Sequence, residues 1–174
     1  MPLAHNRHIT LVLGGARSGK SSYAEDLIRA TPPPWTYIAT AQAFDDEMQH
    51  RLDHHRSRRD ERWRTVEEPL ELCQLLNRHS PKKGAVLIDC LTLWLSNILL
   101  SGRDTERASA ELIDALQNAQ GRIVIVSNEV GFGIVPDNRL AREFRDAQGW
   151  LNQAVARVAD QVVLVAAGLP LTLK

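Results

Sequence analysis

The sequence predicts an α/β fold, a mostly parallel sheet with helices on both faces, and three observations carry that reading. Short apolar runs rich in β-formers recur without polar alternation: ITLVL at 9–13, AVLIDC at 85–90, IVIVS at 123–127 and QVVLVA at 161–166. Unbroken runs of this length belong to strands buried on both faces. Segments with helical spacing separate them, and strands alternating with helices build a parallel sheet. The first run also opens directly into GGARSGKS and then a helix, the strand–loop–helix order of a phosphate loop.

The elements follow in order. Ile9 to Leu13 is the first strand, and Ser21 to Ala30 a helix with Ala24, Leu27 and Ile28 on one face. The prolines at 32–34 close that helix. Thr36 to Thr40 reads as a second strand. Asp45 to Arg59 is polar and helix-prone, and a basic stretch containing Trp63 follows it. Leu70 to Arg78 reads as a helix, Ala85 to Cys90 as a third strand, and an apolar helix comes next. Asp104 is the expected N-cap of a helix over 105–119 that ends at Gly121. After a fourth strand, Ile123 to Ser127, Asp137 is expected to open a long helix. Its apolar positions Leu140, Phe144, Ala147, Leu151, Val155 and Val158 recur at spacings of three and four. Gln161 to Ala166 is a fifth strand, and Leu171 to Leu173 a sixth at an edge. With no repeat, linker or low-complexity tract, residues 1–174 read as one nucleotide-binding domain.

Composition narrows the function. Lys+Arg and Asp+Glu are both 21, so no global field draws in nucleic acid or an anionic membrane. Cys73 and Cys90 lack metal-ligand spacing and read as small hydrophobes in a reducing compartment. The start, MPLAHNRH, lacks a signal peptide's apolar core. The stretch from Ala85 to Leu100 is interrupted by polar residues and is shorter than the roughly 20 apolar residues a spanning helix needs. A soluble cytoplasmic protein with no membrane span is expected.

The pattern Gly14-x-x-x-x-Gly19-Lys20-Ser21 sits after a buried strand and before a helix. Gly14, Gly15 and Gly19 allow the tight turns that aim backbone N–H groups at phosphate oxygens, with Ala16, Arg17 and Ser18 between them. The positive end of the following helix adds to the attraction. Lys20 is placed to reach the β- and γ-phosphates, and the Ser21 hydroxyl to ligate Mg²⁺. The partner acid should end another buried strand, and Asp89, at the end of AVLID, meets that description. An Asp that simply starts the next helix is the alternative.

Histidine invites a separate weighing. Met48, Leu52 and His55 share a helical face, while His50 and His54 form an i, i+4 pair. That pair has no third ligand evident, and a solvated pair is its plainer reading. His55 is the better placed to enter a cleft, where a neutral imidazole is a competent nucleophile toward phosphorus. Arg56, Arg58, Arg59, Arg62 and Arg64 form the one strong basic cluster. A solvated surface, a nucleic-acid patch, or a clamp on the phosphates of a nucleotide would each explain it. The tryptophans at 35, 63, 94 and 150 read as packing residues.

GGARSGKS (14–21), YIAT (37–40), DDEM (45–48), RLDHHRSRR (51–59), WRTVE (63–67), LIDCLT (87–92), NEVGFGIVPDNRLAREFRDAQGWLNQ (128–153) and the closing GLPLTLK span nearly the whole chain. In this order they resemble the bifunctional adenosylcobinamide kinase / adenosylcobinamide-phosphate guanylyltransferase family of cobalamin biosynthesis. The resemblance implies a RecA-like phosphate-loop fold and two reactions. ATP or GTP phosphorylates the aminopropanol hydroxyl of adenosylcobinamide. GMP from GTP is then transferred to that phosphate, giving adenosylcobinamide-GDP and pyrophosphate. It also implies that His55 carries GMP covalently and that Lys20 is catalytic. Nucleotide contacts carry over to Gly14 through Ser21, to Ala39, Thr40 and Ala41, to Arg56, Ser57, Arg58 and Arg59, and to Glu67 and Asp89. Some relatives have Glu where this chain has Asp89. A homotrimer is implied as well. Asn128 and Glu129 are candidates for the corrinoid end of the site because a polar pair closes a buried strand there. The competing classes are a plain small-molecule kinase with His55 structural, and a nucleotide-dependent ATPase acting on DNA. The balanced charge argues against the second.

Overall fold

The structure is a computed structural model that describes residues 7–42, 59–79 and 84–174. Seven strands form one sheet: β1 (Arg7–Gly14), β2 (Trp35–Ala39), β3 (Trp63–Glu67), β4 (Ala85–Asp89), β5 (Gly121–Asn128), β6 (Gln161–Ala166) and β7 (Leu169–Thr172). The described helices are α1 (Lys20–Arg29), α2 (Leu72–His79), α3 (Leu91–Leu100), α4 (Thr105–Asn118) and α5 (Arg139–Val158). The strand order is β3-β2-β4-β5-β1-β6-β7, parallel throughout except for the final β6–β7 pairing.

The unbroken apolar runs follow from burial on both faces. In β1, Ile9, Leu11 and Leu13 point to one face and Val12 to the other, and all four are buried. α1 covers the Val12 face through Ala24 and Ile28, beside Tyr37, Leu87, Val124 and Val163. The opposite face packs against Leu72 and Leu76 of α2, Trp94 and Ile98 of α3, Leu112 and Leu116 of α4, and Leu151 and Val155 of α5. Helices thus lie on both faces, as the sequence predicts. Burying a Leu, Ile or Val side chain contributes about 1.5–3 kcal/mol, so these two layers supply the main driving force.

Four expectations need correction. The basic stretch after Arg59 contains a strand, β3, paired in parallel with β2. Its Arg64, Thr65 and Glu67 are exposed because β3 is an edge strand, and only Trp63 is buried. The fourth helix ends at Asn118; Gly121, with φ 76°, turns the chain into β5 rather than closing the helix. The long helix is capped by Asn138, whose side chain accepts from the Ala141 N–H at 2.7 Å, rather than by Asp137. Leu140 and Trp150 of that helix are 51% and 60% exposed, so neither is a packing residue here. The Asp104 cap holds as expected, accepting from Glu106 and Arg107 N–H.

Asn97 of α3 ties two layers together. Its buried amide donates to the Thr40 carbonyl at 2.9 Å and to the Pro69 carbonyl at 3.1 Å. A leucine there would strand both acceptors. Asn97→Leu should therefore destabilise the chain by about 2–4 kcal/mol, read as a lowered urea midpoint. A loss below about 1 kcal/mol would mean that the carbonyls find other partners.

Candidate active site

Strand alternation places the functional groups. Gly14 continues the Val12 face of β1, Asn128 the Val126 face of β5, Asp89 the Leu87 face of β4, and Glu67 the Trp63 face of β3. All four close parallel strands, and all face the side that α1 covers. Direct register partners are Gly14 with Asn128, and Ala39 with both Asp89 and Glu67. The carboxyl edge of a parallel sheet is where α/β proteins bind ligands, and residues far apart in sequence meet there.

The phosphate loop leaves β1 at Gly14 and enters α1 at Lys20. At Gly14 a Cβ would lie 2.6 Å from the Val165 carbonyl oxygen and against the Ser18 hydroxyl, so only glycine fits. Gly19 has φ 94° and lies under the β6–β7 turn, where its Cβ would come within 3.2 Å of Gly168 Cα. That turn also donates the Gly168 N–H to the Ser18 carbonyl at 2.8 Å, bracing the loop from behind. Gly19 is the N-cap of α1 and brings no side chain, so the positive helix end is left open to an anion rather than closed by a cap. Gly15, Ala16 and Arg17 are exposed on the loop, and Arg17 has φ 56°. Lys20 donates its ammonium to the Gly15 carbonyl at 3.0 Å. Partial burial lowers its pKa from the ordinary lysine value, while Cys90 and Asp89 act in the opposite direction. Ser21 follows in the first turn of α1.

Asp89 is half-buried, and its Oδ2 accepts the Tyr37 hydroxyl at 3.0 Å. Burial, then the charge of Asp89, holds the Tyr37 phenol protonated far above its usual range, so it stays a donor. The Arg59 guanidinium stacks over the same Tyr37 ring at 3.6 Å. Its Nε and Nη1 are buried and have no hydrogen-bond partner among the described residues. A buried guanidinium with unmet donors is a strong attractor for phosphate oxygens. Thr40 is fully buried, and its hydroxyl donates to the Cys90 carbonyl at 2.6 Å and accepts the Cys90 N–H at 2.9 Å. It clamps the ends of β2 and β4, and half-buried Ala41 follows it. Glu67 is exposed at the edge. Cys90 is a buried thiol whose pKa burial pushes up to about 11, and burial does the same to Cys73. Neither is a ready nucleophile.

The structure therefore brings together Gly14 through Ser21, Ala39, Thr40, Ala41, Arg59, Glu67 and Asp89. His55, Arg56, Ser57 and Arg58, with the predicted histidine helix, lie outside the described residues. Sequence reasoning passed over Tyr37 as a site residue; its signal was the alternation that puts it on the Asp89 face. It also passed over a buried polar set behind β5. Ser127 donates to the Asn152 amide oxygen at 2.7 Å, and the Gln148 amide donates to Ser127 Oγ and Asn152 Oδ1 at 2.9 and 3.0 Å. Asn152 in turn donates to the Asn128 carbonyl at 3.0 Å and to Glu129 Oε1 at 3.2 Å.

No described cluster of three or more His, Cys, Asp or Glu could hold a metal unaided. Ser21 and Asp89 offer a hydroxyl and a carboxylate, and Asp89 Oδ1 accepts no hydrogen bond among the described residues. Two hard oxygen donors, completed by phosphate oxygens and water, suit Mg²⁺.

The family profile described as "CobU: Cobinamide kinase / cobinamide phosphate guanyltransferase" matches residues 10–173. The chain belongs to the cobinamide kinase / cobinamide phosphate guanyltransferase family. It is an enzyme of cobalamin biosynthesis, and both activities in that description are transfers of phosphorus groups from nucleotides. A relative from Pseudomonas aeruginosa, the bifunctional adenosylcobalamin biosynthesis protein CobP, is 48% identical over 94% of this chain and 96% of its own. Proteins named bifunctional adenosylcobalamin biosynthesis protein CobU from Salmonella typhimurium and Escherichia coli are 44% and 43% identical, each over 94% of this chain and 98% of theirs. Among solved structures, a protein of Pyrococcus horikoshii OT3 aligns with TM-score 0.56 at 11% identity, over 96% of this chain and 86% of that one. A type III secretion system ATPase aligns with TM-score 0.57 at 9% identity, over 95% of this chain and 56% of that one. These two share the fold alone, and with the parallel sheet they accord with the RecA-like class.

Gly14→Ala tests the loop of this family member. Overpacking against a backbone carbonyl costs about 1–3 kcal/mol, and the loop must shift to relieve it. Nucleotide affinity, measured by titration, should fall at least about tenfold, equivalent to about 1.4 kcal/mol, while the sheet still folds. Unchanged affinity would show that Val165 and Ser18 yield freely.

Proposed function

We propose that one strand-end site performs both reactions, using the residues named above in fixed roles. The hydroxyl of the aminopropanol arm of adenosylcobinamide attacks the γ-phosphorus of ATP or GTP. The resulting phosphate then receives GMP from GTP, giving adenosylcobinamide-GDP and pyrophosphate. The observation that supports this best is the convergence of the phosphate loop, Asp89 and the unpaired donors of Arg59 on one edge and one face of the sheet.

In the phosphorylation, the loop N–H groups and Lys20 hold the triphosphate and offset charge on the transferring group. Ser21 and Asp89 would hold Mg²⁺, which when bound neutralises phosphate charge. Tyr37 keeps Asp89 oriented by its hydrogen bond. In the guanylyl transfer, an imidazole nitrogen of His55 attacks the α-phosphorus and the bond to the pyrophosphate oxygen breaks. Arg56, Ser57, Arg58 and Arg59 neutralise the departing pyrophosphate. A phosphate oxygen of adenosylcobinamide phosphate then attacks the same phosphorus, and the P–N bond breaks. Dividing the transfer in two lets a single site serve two bulky partners in turn. The assembly we propose is a cytoplasmic homotrimer without a nucleic-acid partner. No described helix is long and apolar enough to cross a membrane.

The carrier is identified by labelling. With α-labelled GTP, the unaltered chain should retain acid-labile, base-stable label after denaturation. His55→Ala should abolish both the label and guanylyl transfer, while His54→Ala retains the label. Trapping of GMP by His55→Ala protein would refute the assignment. For the metal, Asp89→Asn should lower both rates by about 10²-fold or more at limiting Mg²⁺ and recover in part as Mg²⁺ is raised. A loss indifferent to Mg²⁺, with a collapsed melting temperature, would make Asp89 structural.

A further inference from the structure

The buried polar set behind β5 has no role in the phosphate-binding chemistry, and its placement demands one. Ser127 and Gln148 are fully buried and Asn152 is 5% exposed, on the face of the sheet whose core is otherwise apolar. Apolar side chains would fill that layer without unmet polar atoms, yet the Gln148 amide oxygen has no partner among the described residues. Interior polar groups of this kind are retained where they fix a particular geometry. Here every donor chain in the set runs outward to one point. Gln148 and Ser127 hold the Asn152 oxygen, and the Asn152 amide nitrogen donates to both the Asn128 carbonyl and the Glu129 carboxylate.

Glu129 is thereby held on both sides. Its N–H donates to the Gly14 carbonyl at 3.1 Å, at the root of the phosphate loop, and its Oε1 takes the Asn152 amide. Its Oε2 has no hydrogen bond among the described residues, and the residue is half-buried. β5 lies between the phosphate-loop strand β1 and the Asp89 strand β4, so Glu129 follows the strand end that lies between the phosphate loop and Asp89. The other acid on these central strands, Asp89, is engaged by Tyr37 on the α1 face. Ser127 turns away from that face toward α5, and the Glu129 carboxylate joins the same α5 residue. The two acids are therefore tied to opposite faces of the sheet at its carboxyl edge.

We infer that Glu129 is the catalytic base of the phosphorylation, with Ser127, Gln148 and Asn152 as its positioning residues. The inference rests on the kinase reading given above. The free Glu129 oxygen takes the proton of the acceptor hydroxyl as its oxygen bonds to the γ-phosphorus. The bond between that phosphorus and the β–γ bridging oxygen breaks, the nucleoside diphosphate leaves, and Glu129 returns the proton to water. General-base assistance of this kind contributes about 10²- to 10⁴-fold.

The test compares the unaltered chain with Glu129→Gln and Glu129→Asp, using adenosylcobinamide, Mg²⁺ and ATP or GTP. Glu129→Gln should lower kcat for phosphorylation by about 10²-fold or more with KM for the nucleotide changed less than about threefold. Glu129→Asp should recover part of kcat, and melting temperatures confirm that each variant is folded. The assignment is overturned if Glu129→Gln keeps kcat within about fivefold or if only KM rises. An unaltered chain that phosphorylates no adenosylcobinamide would overturn the kinase reading itself, and Glu129 with it.

Discussion

The close passage of β1 between β5 and β6 sets the terms for the rest of the molecule. Parallel neighbours on both sides bring the Val165 carbonyl so near Gly14 that no side chain fits. The chain must therefore leave the sheet as bare backbone, and bare backbone is what can wrap N–H groups around an anion. Because the central strands all run one way, their polar ends collect beside that exit. Asn128, on the neighbouring strand, and Asp89, one strand further, stand beside the loop through strand direction alone.

That arrangement has a thermodynamic signature. Thr40, Thr92, Asn97, Ser127, Gln148 and Asn152 are all buried polar residues at the loop end of the sheet. Thr92 Oγ1 accepts the Asn128 N–H at 2.8 Å, so even the backbone of the strand end is held by a side chain. A polar group in such surroundings contributes little net stability when paired and costs about 1–3 kcal/mol when it is not. The opposite end of the sheet is closed more simply. Lys174 caps the α5 carbonyls of Ala156 and Arg157 and that of Ala159, and Asp160 accepts the Ile9 N–H at 2.7 Å.

Much of the fold was legible because hydrophobic runs report burial directly. QVVLVA at 161–166 matches β6 residue for residue, and the loop motif was bounded correctly by β1 and α1. β3 escaped because an edge strand buries little, and WRTVE carries more charge than apolar surface. Asn138 and Asp137 are adjacent and equally good caps in sequence; only the direction of the chain chooses between them. Gln148 and Asn152 were passed over because their partner Ser127 lies in a strand that only folding brings near. The roles of Lys20 and Asp89 could be argued from residue type and context. That of His55 came from resemblance, because helical spacing alone could not separate a nucleophile from a solvated imidazole.

The bracing of the loop by the β6–β7 turn has a consequence for how the protein is made. Residues 14–21 leave the ribosome well before the segments that shape them, since β1 pairs with 121–128 and 161–165, and Ser18 is bound by Gly168. Contacts of such long sequence separation form slowly, and β1, apolar on both faces, stays exposed until they form. The bracing of residues 14–21 is thus complete only once the β6–β7 hairpin is in place, not when the motif itself has been made.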